Sequence, residues 1–269
     1  MTSSFKFLIF FLTCIRFLYG SEQDRLFYDA IRAEASGDTD LAIKFYLQAS
    51  QIAHTANLHG NLANLYFEEG KFGHSILHFR KAILLNSENS ELSTNLAFAY
   101  EKAGVQNAKS KFLDTYFSAD FLPFWIIILN IVIWFSVLLV IYIFFFKESK
   151  RLLFYSIPIL TALFVLSSYA VHFSSNQKAL KLREIIVLHS SDSNNTNIVQ
   201  LRRFAGEKSL ANTSVSSGES LIVDLDENKK HKFHKVSDGD IWYLVRSSDN
   251  KKKGWIKEDE FGWLIEPKS

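Results

Sequence analysis

The sequence of 269 residues holds a single cysteine, Cys14, so it can build neither an internal disulfide framework nor a cysteine-rich metal site. It also lacks an excess of charge of one sign. Thirty Lys and Arg against 28 Asp and Glu leave a formal net charge of +2, whereas a general nucleic-acid binder needs a dense basic face. Catalytic signatures are missing as well: no glycine-rich phosphate loop, HExxH pair or nucleophile elbow occurs. Ser175-Asn176-Gln177-Lys178 fits an S-x-x-K spacing, but no K-T-G partner follows it, and chance accounts for the match. His74 and His78 stand at i, i+4 without a third ligand, and so read as helix-surface residues. The expectation is a non-enzymatic protein with no cofactor and no metal. Long apolar runs are few: only 121–146 and 152–173 can cross a bilayer, which excludes a polytopic transporter, while their presence excludes a purely soluble globule.

What is there falls into blocks. Residues 1–20 read as an export signal, with Lys6 ahead of the apolar stretch Phe7-Leu8-Ile9-Phe10-Phe11-Leu12 and Gly20 as the cleavage edge before Ser21. Arg16 interrupts that stretch and keeps an uncleaved anchor as the second reading. Phe11-Leu12-Thr13 is a poor lead-in to a lipidated Cys14. Cleavage after Gly20 leaves a mature chain without cysteine, which suits an oxidising compartment.

Residues 21–118 carry a repeat of 33 to 34 positions. Ala30, Ala63 and Ala97 recur, then Ala33, Tyr66 and Tyr100, then Gly37, Gly70 and Gly104, each glycine closing a helix where the turn needs positive φ. Ala42-x3-Tyr46-x2-Ala49 is echoed by Ser75-x3-Phe79-x2-Ala82. This pattern resembles the tetratricopeptide (TPR) helix–turn–helix unit, in which small residues let paired helices approach and aromatics fill the layer between units. The middle unit matches best. It departs from the pattern at Ser87, where proline is usual, and at His59, where tryptophan is common. The poorly matching segment Gln106–Phe117 reads as a cap. The resemblance implies a partner-binding groove lined by the first helices, here Phe27, Ile31 and Glu34, then Asn64, Phe67 and Glu68, then Phe98 and Glu101. Carboxylates mixed with apolar surface, without a lysine or arginine clamp, suit a basic and apolar peptide; as solvated helix faces the carboxylates carry no such role.

The run 121–146 has 26 residues and reaches about 39 Å as a helix, more than the roughly 30 Å hydrocarbon core. The second, 152–173, contains Pro158, a mild kink. Between them, residues 147–151 form a tight hairpin with three basic side chains, which favours the cytoplasmic side. Lys178, Lys181 and Arg183 flank the other side, so charge alone does not decide. Parity does: a working export signal puts the hairpin loop inside and both soluble parts outside. Neither span holds an ionisable residue before His172, so no ion or proton pathway is expected in them.

Residues 180–269 read as β-rich, with runs at Glu184–Leu188, Ile198–Phe204, Ser220–Leu225, Ile241–Arg246 and Gly254–Lys257. Asn194–Asn197 and Glu207–Glu219 read as long loops. Trp242-Tyr243-Leu244-Val245, a turn near Ser248–Lys252, and Gly254-Trp255-Ile256 resemble the hairpin of the bacterial SH3-like barrel. Alternation turns Trp242 and Leu244 inward and Tyr243 and Arg246 outward. The resemblance implies that Tyr243, Trp255 and Trp263 contact cell-wall peptides or protein segments; Trp255 reads more readily as core.

The fold class expected is therefore a multidomain membrane protein: a TPR solenoid, two transmembrane helices and a small C-terminal β-barrel. The order of parts resembles the BatE-type proteins of the bacterial Bat (aerotolerance) operons over essentially the full chain. That resemblance implies a cytoplasmic-membrane protein with both modules in the periplasm. Its implied partners are membrane proteins carrying von Willebrand A domains and a MoxR-type AAA+ ATPase. A role in oxidative-stress tolerance or envelope protein assembly follows from the resemblance alone. The alternative expectation is a peptidoglycan sensor or tether that binds through the barrel.

Overall fold

The computed structural model describes residues 22–106, 116–146, 150–189 and 197–267. The leader 1–20, most of the segment Gln106–Phe117 and residues 147–149 of the expected inner loop lie outside the described residues. The chain divides into two compact units. One combines the described helices before residue 107 with the strands after residue 182, and the other holds the long apolar helices.

In the first unit, α1 (22–35), α2 (Thr39–Ile52), α3 (Ala56–Glu68), α4 (Phe72–Leu85) and α5 (Ser90–Ala103) follow one another across short turns. The caps explain the boundaries. Asp38 accepts from the Leu41 N–H, Thr55 from the Leu58 N–H, and Asn89 from the Glu91 and Leu92 N–H groups, each satisfying otherwise orphaned donors. The 33–34 residue repeat is also a repeat of hydrogen bonds. Asp38 N donates to Ala33 O, Lys71 N to Tyr66 O and Val105 N to Tyr100 O, around Gly37, Gly70 and Gly104 at φ +81°, +72° and +66°. The equivalence fails in burial. Ala30 and Ala63 are fully buried, but Ala97 is exposed, because α5 ends the described helical stack and no described helix covers that face.

The eight strands are β1 (Glu184–Val187), β2 (Ile198–Arg202), β3 (Ala211–Ser216), β4 (Ser220–Val223), β5 (Phe233–Lys235), β6 (Ile241–Arg246), β7 (Lys253–Lys257) and β8 (Phe261–Trp263). They form one antiparallel sheet in the order β3-β2-β7-β6-β4-β1-β8, with β5 paired to β6. Two expectations change here. Residues 207–219 are not simply a long loop, since β3 lies within them and pairs with β2 along its length. The facing of β6 also changes at Tyr243 and Leu244: Val245 belongs to the sheet core and Tyr243 packs against it, opposite Ile256, while Leu244 does not join it. Trp242 is buried, but on the other face, between His234 and Lys257. Tyr243 goes inward because Phe261 and Trp263 meet its ring edge to face at 5.4 and 5.6 Å.

The second unit contains a 3₁₀ turn, Ala119–Phe121, then α6 (Leu122–Phe146) and α7 (Lys150–Lys181), which pack on each other. Both are long and apolar enough to cross a membrane, over Ala119–Phe145 and Phe154–Lys181. Two polar side chains of α6 are satisfied within the helix. Asn130 donates to Ile126 O at 2.8 Å, and Ser136 Oγ donates to Val132 O at 2.7 Å, as an apolar surround demands. Small Ser167 and Ala170 are buried, which lets helices approach closely.

Candidate functional site

Among the groove residues read from the repeat, Ile31, Glu34, Asn64, Glu68, Phe98 and Glu101 lie on exposed positions of α1, α3 and α5. Phe27 and Phe67 are half-buried, edge-on to Tyr46 at 5.6 Å and to Phe72 at 5.6 Å. Glu34 is engaged: Tyr46 Oη donates to it at 3.2 Å while accepting from Asn61 at 3.0 Å. Burial, with the Glu34 charge beside it, pushes the Tyr46 hydroxyl up to about 12. Asn95 reaches Asn64 at 3.5 Å and ties α5 to α3. Of the aromatic residues read from the sheet, Tyr243 and Trp263 meet each other, and Trp263, stacked on His231 at 4.8 Å, keeps only 9 % of its surface. Trp255 lies apart, half-buried, edge-on to His234.

The helices and the sheet share a core. Ile186 of β1 packs with Ile76, Leu77, Phe79 and Tyr100 of the helices, while its neighbours Ile185 and Val187 face the sheet core. The approach is close because Gly73 has no side chain: a Cβ there would stand 2.6 Å from Leu188 O and 2.7 Å from Val187 O. Gly262 plays the same part against Leu77. Across this seam, Arg80 forms a bidentate pair with Glu184 at 2.6 and 3.0 Å and donates to Ser220 at 2.7 Å. Burial disfavours the Arg80 cation, but Glu184 outweighs it and raises its pKa. Lys81 reaches Glu266 at 3.1 Å.

A cleft of about 630 Å³ opens on the seam, lined by α2, α3, α4 and the segment from Gly262 to Glu266. It gathers five of the chain's eight histidines: His54, His59, His74 and His78 lie on or near it, and His189 stacks on His74 at 5.5 Å. His54 Nδ1 is 3.0 Å from His59 Nε2, and His59 Nδ1 is 3.0 Å from His78 Nδ1. Burial, then Lys81 and His54, pull His59 down to about 4. Burial, then His189 and Lys71, do the same to His74. His78, buried beside His59 and Lys81, lies well below the usual histidine range. Among the described residues, no three His, Cys, Asp or Glu side chains converge as metal ligands. His54, His59 and His78 thus form a continuous chain of ring-nitrogen contacts whose inner members favour the neutral form. Reading the sequence missed it, taking His59 for a departure from the repeat and His74 and His78 for a surface pair. The available signal was that four of eight histidines fall between positions 54 and 78. No protein-family model and no curated protein matches this chain.

Proposed function

We propose that this protein is a non-catalytic, membrane-anchored adaptor. Its helical repeats act as a TPR-type groove and its sheet as an SH3-like module, both displayed outside the cytoplasm on two transmembrane helices. One observation carries the reading: the segments before and after the two apolar helices fold into a single compact unit. Chain entering and leaving a hairpin of two spans must lie on one side of the bilayer to fold together, so an even number of crossings is required. A leader that exports the first segment then exports both. The mixed surface of Ile31, Phe98, Glu68 and Glu101 suits a basic, apolar peptide. The resemblance to BatE-type proteins makes membrane proteins with von Willebrand A domains and a MoxR-type ATPase the first partners to look for, with the bacterial inner membrane and periplasm as the location.

Reporter fusions after Ser118 and at Ser269 should both report the non-cytoplasmic side; a cytoplasmic signal from either ends the adaptor reading. Charge reversal at Glu34, Glu68 and Glu101 should reduce co-purification of a specific membrane partner, and unchanged recovery would remove the groove from the proposal. A second reading, a peptidoglycan tether, draws on Phe233, which stands exposed beside Tyr243 at 6.1 Å. Sedimentation of the detergent-solubilised full chain with purified sacculi, lost in Phe233→Ala, would favour it over the adaptor.

A further inference from the structure

We propose that the chain of imidazoles His54–His59–His78 is a proton sensor built into the helix–sheet seam: neutral, it keeps the cleft closed, and protonated, it parts α4 from the segment Gly262–Glu266. The inference goes beyond the adaptor reading and does not depend on it.

The geometry fixes how many protons the closed state accepts. Each neutral imidazole carries one N–H, so both 3.0 Å contacts are hydrogen bonds only when every ring donates in the same direction along the chain. One added proton makes His59 a double donor between two acceptors. A second sets two N–H groups against each other and breaks the chain. Even the first has no counter-charge. Facing the chain, α2 offers only Leu47, Ser50 and Gln51, and α3 adds Tyr66, whose hydroxyl burial pushes further from ionising. The α4 helix adds Lys81 and His74, with Lys71 at its start, and His189 follows β1. Among the described residues, the one carboxylate lining the cleft, Glu266, already pairs with Lys81, and Glu69 pairs with Lys71. Every other charged group described there is a cation, so a buried imidazolium gains stability by meeting water.

The route to water is the weaker side of the seam. Glu266 is mostly exposed, so its pair with Lys81 holds little. The opposite side carries the bidentate Arg80–Glu184 pair and the Gly73 contact. The opening is therefore local to Gly262–Glu266. The sign follows from the depressed values in the closed state. The opened state binds more protons below the ordinary histidine pKa of 6.5, so closure is fully favoured above it and weakens as pH falls toward about 4. One histidine with those two values favours opening about thirtyfold more at pH 5 than at pH 7.5.

The test is hydrogen exchange on the full chain in detergent micelles at pH 7.5 and pH 5, corrected for the intrinsic rate. Wild type should lose at least tenfold protection at acid pH in peptides covering 258–267 and the cleft side of 72–85, while β2, β3, β6 and β7 stay protected. His59→Gln, a neutral residue that still hydrogen-bonds, should keep protection at pH 7.5 and lose most of the response. Should that variant fail to fold, His54→Gln, on the exposed end of the chain, should cut the response by threefold or more. His234→Gln, on β5 and edge-on to Trp255 away from the cleft, should leave it intact. An unchanged wild-type cleft at pH 5, a full response in His59→Gln or His54→Gln, or a response lost in His234→Gln overturns the proposal. So does zinc at pH 7.5 protecting the cleft in wild type but not in His59→Gln, which would make the cluster a metal site.

Discussion

Helices α4 and α5 follow each other in the chain and have the same length, yet they meet opposite fates. In α4, Gly73, Ser75, Ile76, Leu77, His78, Phe79 and Ala82 are all buried, because α3 and α5 cover part of its surface and the sheet covers another. In α5, only Leu92, Ala99 and Tyr100 are buried, and Phe98 stands 54 % exposed. The difference teaches that a repeat pattern specifies helix ends and one packing face but not what covers the remaining faces. The sheet took the outer side of α4, whereas among the described residues nothing covers Phe98 of α5.

The comparison breaks most sharply at Gly73. Gly73→Val forces a branched side chain into the carbonyls of Val187 and Leu188, which are backbone and cannot turn aside. The expected cost is about 3 kcal/mol or more, seen as a fall of roughly 10 °C in the melting temperature of the first unit. The next largest effect separates the two ion pairs of the seam. Glu184→Gln leaves the Arg80 guanidinium half-buried without its counter-charge and should cost about 2 kcal/mol, whereas Glu266→Gln, at an exposed partner, should cost well under about 1 kcal/mol. Denaturant titration of both variants checks the ratio, and equal losses would show that the seam is not anchored at its Arg80 end.

These residues also mark what could be read beforehand. The helix ends were legible because Gly37, Gly70 and Gly104 are set by local backbone chemistry. The two helices long and apolar enough to cross a membrane were legible from length and hydropathy alone. The seam was not, because no local preference signals that Gly73 lies against a strand more than a hundred residues away. One clue was present and unused. Ile185-Ile186-Val187 and Leu221-Ile222-Val223 do not alternate, and both runs are buried throughout, as strands covered on two faces are. By contrast, β2 alternates through Val199 and Leu201, the pattern of a sheet with one wet face. The facing of Tyr243 was misjudged for the same reason: alternation gives the period of a strand but not its phase, and packing partners decide the phase.

The smallest effect expected sharpens the comparison from the side of α5. Phe98→Ala removes a ring that buries less than half its surface, so the lost transfer energy is about 1 kcal/mol at most, and alanine's higher helix propensity offsets part of it. Stability by denaturant titration should therefore change by under about 0.5 kcal/mol. Phe79→Ala in α4, a fully packed ring in the same unit, should cost about 3 to 5 kcal/mol. If Phe98 serves a partner, the same variant that leaves folding intact should weaken capture of a basic, apolar peptide severalfold, which Glu101→Lys should also do by reversing the adjacent charge. A stability loss in Phe98→Ala near that of Phe79→Ala would mean the open face is covered by the chain itself. Intact stability with intact peptide capture would mean it is open but idle. Only intact stability with lost capture makes the bareness of α5 the functional counterpart of the burial of α4.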